Sequence, residues 1–198
     1  WNRFKFSSIL ISTKSDIDRL ESTKKHLKNL DINHLNHEAV IYKTLKNVLL
    51  EDTNLVSKSK VSQICCFVSH IFAIEQILKS SSDDIFLILE DDVRLFPDPY
   101  LIGLEKIINN KDWEIVTFEH HMPYTFLRLR DAFNHGMLLQ RWDNPKDYGA
   151  SAYFITRDFA KKIVNYFLKD TSKGMKIDLK KTYIYHRAIV PDYLVFDL

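Results

Sequence analysis

The chain has 198 residues, 45% of them apolar and 27% charged, a balance that suits one globular domain with a sizeable core and excludes a disordered chain. A formal net charge of +2 gives no electrostatic reason to expect a nucleic-acid partner. Four glycines and five prolines are too few for a repeat array or a low-complexity segment.

Taken in order, Ser8 to Ser12 (SILIS) is a short apolar run bounded by polar residues and reads as the first strand. Ser15 and Asp18 form an S-x-x-D pattern that predicts a helix cap, and Ile17, Leu20, Leu27 and Leu30 recur behind it at helical spacing. Strand, loop and helix open an α/β unit. Arg19 falls in the first turn of that helix, near the carboxyl end of the strand, where it either meets a phosphate or is a solvated surface arginine. From Asp31 to Lys60 polar residues interrupt the apolar ones, and only Ala39 to Tyr42 suggests a second, short strand.

A helix is predicted from about Ser59, with Val61, Ile64, Cys65, Val68, Ile71, Phe72 and Leu78 on the i, i+3, i+4, i+7 stripe. Cys66, Phe67, Ala73, Ile74 and Ile77 widen the apolar surface to most of the circumference, so the helix should be largely buried. Ser69 and His70 are then polar groups in a core helix and need partners, either an internal hydrogen bond or a ligand. The adjacent Cys65 and Cys66 build no disulfide framework, fit a reducing compartment, and show no metal-ligand spacing. No uninterrupted apolar run approaches the roughly 20 residues that span a bilayer, and no signal peptide is recognisable.

Ile85 to Phe96 (IFLILEDDVRLF) runs from five apolar residues straight into Glu90, Asp91 and Asp92. Such a run reads as a strand buried on both faces, and in open α/β sheets ligands bind at the carboxyl ends of the strands. Three adjacent carboxylates repel one another, so the site calls for a cation; Mg²⁺ and Mn²⁺ take carboxylate oxygens and bridge to phosphates. The plainer alternative is a solvated acidic turn.

Pro97, Asp98 and Pro99 turn the chain, and Leu101, Leu104, Ile107 and Ile108 mark a short amphipathic helix. Asp112 to Glu119 (DWEIVTFE) reads as a further strand ending in Glu119, with His120 and His121 behind it. Met122 to Asp147 has little periodicity but many aromatic residues and arginines, which fits a substrate-binding insertion or a peripheral helical hairpin. Tyr148 to Ile155 reads as a strand, where Gly149 and Ala150 allow close approach of a ligand or backbone. Thr156 caps a helix carrying Phe159, Ala160, Ile163, Val164 and Phe167. Beyond it, Ile177 to Leu179 brackets Asp178, and Tyr183 to Tyr185 and Tyr193 to Phe196 are strand-like.

In this order the pieces resemble glycosyltransferase family 25, which includes lipooligosaccharide galactosyltransferases and collagen galactosyltransferase domains. SILISTKSDIDR, CCFVSH at Cys65 to His70, LILEDDV at Leu87 to Val93, and GASAYFITRDFAKKI at Gly149 to Ile163 carry the resemblance. It implies a GT-A type fold, a Rossmann-like α/β mixed sheet flanked by helices, in one domain over 1–198 with 122–147 as an acceptor-side insertion. It further implies Mn²⁺ or Mg²⁺ on Asp92, Asp91 and His186, and a nucleotide-sugar donor beside Arg19, Ser69, His70, Glu90 and Asp91. Gly149, Ala150 and Ser151 would line the sugar pocket, and Glu119 or Asp178 would be the base. The expected reaction is inverting transfer of a hexose, galactose from UDP-galactose, to a glycan or glycolipid such as lipopolysaccharide core. The expected setting is the cytoplasm, with peripheral association at the cytoplasmic face of the inner membrane. Among the departures from the family pattern, Cys65 stands where Gly is usual, the Met122 to Asp147 segment lacks a matching pattern, and the tail after Asp178 diverges. A catalytically silent carbohydrate-binding domain is the competing reading. A metal-dependent nuclease or phosphotransferase lacks a P-loop and a basic surface to support it.

Overall fold

The SILIS run folds as β1 (Ser7–Ser12), followed by α1 (Ile17–Asn29), and the IFLILE run folds as β3 (Ile85–Glu90). The computed structural model describes residues 1, 4–50, 61–95, 105, 108–109, 113–117 and 151–179. Its other elements are β2 (Leu35–Glu38), α2 (Tyr42–Leu45), α3 (Val61–Ser80), β4 (Ile115–Thr117), β5 (Ala152–Thr156), α4 (Arg157–Phe167), β6 (Leu168–Thr171) and β7 (Gly174–Ile177).

Five strands form one sheet in the order β2-β1-β3-β5-β4. β1 pairs parallel with β2 and β3, whereas β5 runs antiparallel to both β3 and β4. β6 and β7 make a separate antiparallel hairpin. Helices cover both faces of this mixed sheet, which is a Rossmann-like, GT-A type architecture.

The pleat sorts the strand residues between two cores. Ile9, Ile11, Phe86, Ile88, Tyr153 and Ile155 pack with α3 and α4; Leu10, Ile85, Leu87, Leu89 and Phe154 pack with Leu27 of α1. All five apolar residues of β3 are buried, and each contributes about 1.5–3 kcal/mol by leaving water. This double burial explains the unbroken apolar run.

Ten residues of α3 are buried, and the Phe67 ring meets Phe167 of α4 edge-on at 5.2 Å. By length and composition α3 is apolar enough to cross a bilayer. Its packing against sheet and α4 accounts for that hydrophobicity as core. At the amino end of β3, Arg157 donates to the carbonyls of Ser81 and Asp83 and lies over the Phe86 ring. Thr156 caps α4 as expected, its hydroxyl accepting from the Phe159 amide.

Several expectations need correction. The second strand is Leu35–Glu38, not Ala39 to Tyr42: it is the edge of the sheet and mostly exposed, so it is written in polar residues. Ala39 and Val40 pack on the α3 side, while Ile41 and Tyr42 are exposed beside and within the helical turn α2. The S-x-x-D cap does not form. Asp16 is the N-cap without a side-chain bond, Ser15 turns to Thr13, and Ile17 lies outside the apolar stripe at 64% exposure. The β6–β7 hairpin has no counterpart in the sequence reading, because its strands are four residues each, bury only Leu168 and Ile177, and lack alternation.

Candidate functional site

β3 ends in a turn closed by the Val93 amide donating to the Glu90 carbonyl at 3.3 Å. The pleat and this turn send the three consecutive carboxylates into three environments. Glu90, two residues beyond Ile88, points to the α3 side; Asp91 points to the α1 side; Asp92 is exposed.

Glu90 Oε1 lies 2.9 Å from His70 Nε2 and accepts the Cys66 thiol at 3.2 Å. His70 Nδ1 is 3.0 Å from the Tyr153 hydroxyl, and the two rings stack at 5.7 Å. Cys66 and His70 are four residues apart on α3 and therefore share a face, which meets the end of β3. Burial would raise the Glu90 pKa, but the His70 hydrogen bond and charge, the Cys66 thiol and Arg19 outweigh it and hold the carboxyl at about 2. Glu90 is therefore ionised at any physiological pH.

Asp91 is 4% exposed, with Oδ1 paired to Arg19 at 2.9 Å. Arg19 also reaches Asp16 at 3.3 Å. Burial pushes the Asp91 pKa up; Arg19 and the Thr13 backbone oppose this, and Asp92 and Asp16 add to it. Asp91 Oδ2 is buried with no hydrogen-bond partner among the described residues. The segment after it is stitched to α1: Thr23 donates to the Asp91 carbonyl at 2.6 Å, Arg94 donates to Thr23 and Ser22, and the Leu95 amide donates to His26.

A buried carboxylate oxygen lacking a partner, next to the exposed carboxylate of Asp92, suits a hard divalent cation approaching from solvent. Of the expected donor residues, Arg19, His70, Glu90 and Asp91 gather at this end of the sheet. Ser151 joins them through its carbonyl, which accepts from the Glu90 amide at 2.8 Å. The Ser69 hydroxyl is engaged within the fold, donating to the Cys65 carbonyl at 2.6 Å and accepting from the Val40 amide at 2.7 Å. Asp178 is buried and paired with Lys169 at 2.6 Å, and its amide donates to Phe167 at the end of α4. Glu119, Gly149, Ala150 and His186 lie outside the described residues, as do His120, His121 and the 122–147 segment.

Two members of the site escaped the sequence reading. Tyr153 carries no local signal. Cys66 does: its i, i+4 relation to His70 is the spacing of two ligands on a helix. The expectation that neither cysteine shows metal-ligand spacing is corrected for Cys66, because the third group, Glu90, arrives from the next strand. Cys65, at the position where Gly was expected, is buried in the α3-side core, and burial pushes its thiol pKa up.

In comparison with protein families, residues 6–179 match the model described as glycosyltransferase family 25 (LPS biosynthesis protein). No curated protein matches the chain.

Proposed function

The chain belongs to glycosyltransferase family 25, the match running over residues 6–179, and is a glycosyltransferase of the lipopolysaccharide-biosynthesis kind; on that premise we propose that it transfers galactose from UDP-galactose, with inversion, to a lipopolysaccharide or lipooligosaccharide core. The observation that supports this site is the carboxyl end of β3, where Asp91 pairs with Arg19 through Oδ1, has an Oδ2 without a partner among the described residues, and is followed by the exposed Asp92. Asp91 and Asp92 would hold Mn²⁺ or Mg²⁺, with His186 as a further ligand; when bound, the ion supplies Lewis-acid stabilisation of the departing diphosphate.

Arg19, 41% exposed along its side chain, keeps solvent-facing donors for the diphosphate while holding Asp91 in place. Glu90, held by His70 and Cys66, orients the end of β3 toward the donor. Gly149, Ala150 and Ser151 would line the sugar pocket. The acceptor hydroxyl attacks opposite the leaving group and needs a base. Of the two carboxylates proposed, Asp178 is already engaged in an ion pair with Lys169, which favours Glu119. The proposed setting is the cytoplasmic face of the inner membrane, where a glycolipid acceptor would be presented.

Incubation with Mn²⁺ and a panel of UDP-sugars, with and without EDTA, tests the reading through UDP release. EDTA-sensitive release with UDP-galactose above the other sugars is expected. Silence across the panel with a lipooligosaccharide acceptor present would leave only the silent carbohydrate-binding reading.

A further inference from the structure

Cys66, His70 and Glu90 have a chemistry separate from that of Asp91 and Asp92. One ligand atom from each lies within 4.8 Å of the others, on the α3 side of β3. We propose that these three side chains form a site for a thiophilic divalent ion, Zn²⁺ above all, with one coordination position left open. The inference does not rest on the glycosyltransferase reading.

Donor type comes first. Zn²⁺ is bound by thiolate, imidazole and carboxylate, and three such ligands plus an open fourth position make a common tetrahedral arrangement. Mg²⁺ and Mn²⁺ prefer all-oxygen sites, so a Cys/His/Glu set discriminates against them. Geometry comes second. Zinc–ligand bonds of ~2.0–2.3 Å place neighbouring ligand atoms roughly 3.3–3.6 Å apart in a tetrahedron. The Glu90 oxygen already sits 2.9 Å from His70 Nε2 and 3.2 Å from Cys66 Sγ. Binding therefore requires the Glu90 oxygen to part from each of the other two atoms by a few tenths of an ångström, while Cys66 and His70, whose ligand atoms lie within 4.8 Å of each other, close the third edge.

The surroundings complete the site. A histidine that ligates through Nε2 carries its proton on Nδ1, and a partner there fixes ring and tautomer. The Tyr153 hydroxyl is that partner, at 3.0 Å from Nδ1. His70 is buried while Cys66 and Glu90 are partly exposed, so the open position faces an approach from solvent. Binding would displace the protons now held between Cys66, His70 and Glu90, and join α3 to the end of β3 by coordination in place of hydrogen bonds.

Co²⁺ is the spectroscopic probe. Metal-stripped protein kept reduced with a phosphine is titrated with Co²⁺, and a near-ultraviolet thiolate charge-transfer band with intense four-coordinate visible bands is expected at one equivalent. Zn²⁺ should abolish these bands, and a large excess of Mg²⁺ should not. Cys66→Ser should remove the charge-transfer band and weaken Zn²⁺ binding by at least about 100-fold, whereas Cys65→Ala should retain both. Tyr153→Phe should weaken Zn²⁺ about 10-fold, as loss of an outer partner does. Thermal unfolding gives a second readout: Zn²⁺ should raise the midpoint of the wild type and of Cys65→Ala, but not of Glu90→Gln, which preserves shape and removes the anionic ligand. Absence of the charge-transfer band in the wild type, or its persistence in Cys66→Ser, overturns the proposal. UDP release is not among these readouts, so failure here and failure of the transferase reading are told apart.

Discussion

Glu90 and Asp91 are joined by one peptide bond, yet one carboxyl is held at a pKa of about 2 and the other is pushed above its ordinary value. Burial raises both. The difference lies in what each face of the sheet supplies: α3 brings an imidazole and a thiol to the same oxygen of Glu90, whereas α1 brings one guanidinium to Asp91, whose Oδ2 has no hydrogen-bond partner among the described residues. A carboxylate with its hydrogen bonds met is an organising group. One with an unmet oxygen is poised for a hard cation, and this is why the Mn²⁺ or Mg²⁺ of the donor site is proposed on the α1 side and the solvent-facing turn.

The comparison can be broken from either side. Asp92→Ala should have the largest effect, lowering Mn²⁺-dependent UDP affinity by more than about 100-fold, beyond the loss typical of a residue that only orients a ligand. Calorimetry with and without Mn²⁺ checks it, and retained metal-dependent affinity would remove Asp92 from the site. His70→Ala breaks the α3 side, emptying a buried volume and leaving Glu90 and the Tyr153 hydroxyl without their shared partner; about 2–4 kcal/mol of stability should be lost in denaturant unfolding. Arg19→Met breaks the α1 side. Because Arg19 is 41% exposed and its pairing partly screened, the expected loss is smaller, about 1–3 kcal/mol, despite the burial of Asp91.

Ser69→Ala sharpens the boundary between site and scaffold. Its hydroxyl joins α3 to Val40, so stability should fall by about 1–2 kcal/mol with UDP affinity unchanged. A drop in affinity at unchanged stability would return Ser69 to the donor site. The smallest effect is expected at His37. Burial lowers its pKa below 6.5 and His70 adds to this, against the Gln76 hydrogen bond and the charges of Glu38 and Glu75. The unfolded chain then takes up the proton first as pH falls, so this stabilisation is complete above 6.5 and is lost on acidification toward the folded-state pKa. His37→Gln should flatten the midpoint's fall between about pH 7 and about pH 5 while changing stability at neutral pH by no more than about 0.5 kcal/mol.

Much of this molecule is written locally. The unbroken apolar run of β3, the wide apolar surface of α3 and the Thr156 cap of α4 each follow from residues within a few positions, because strand burial, helix amphipathicity and capping are short-range physics. The order of motifs points to the family, and the three carboxylates at the end of the apolar run are visible in the sequence itself. The edge strand β2 was missed because an exposed edge needs no apolar signature. The Ser15–Asp18 cap was overestimated because the pattern permits a capping box without requiring it.

By itself, then, the sequence determined the α/β class, the family and the place of the acidic cluster, each of them set by neighbours along the chain. Only the tertiary structure decided that Glu90 and Asp91 face opposite layers, that Ser69 is a tie within the fold, and that Cys66 and His70 share an oxygen with Glu90. Those outcomes depend on partners brought from afar. Glu90 lies 20 residues from His70, Arg94 lies 71 from Thr23, and Tyr153 lies 83 from His70; no periodicity over a few positions carries information across such separations, and the packing of helices on the sheet supplies it.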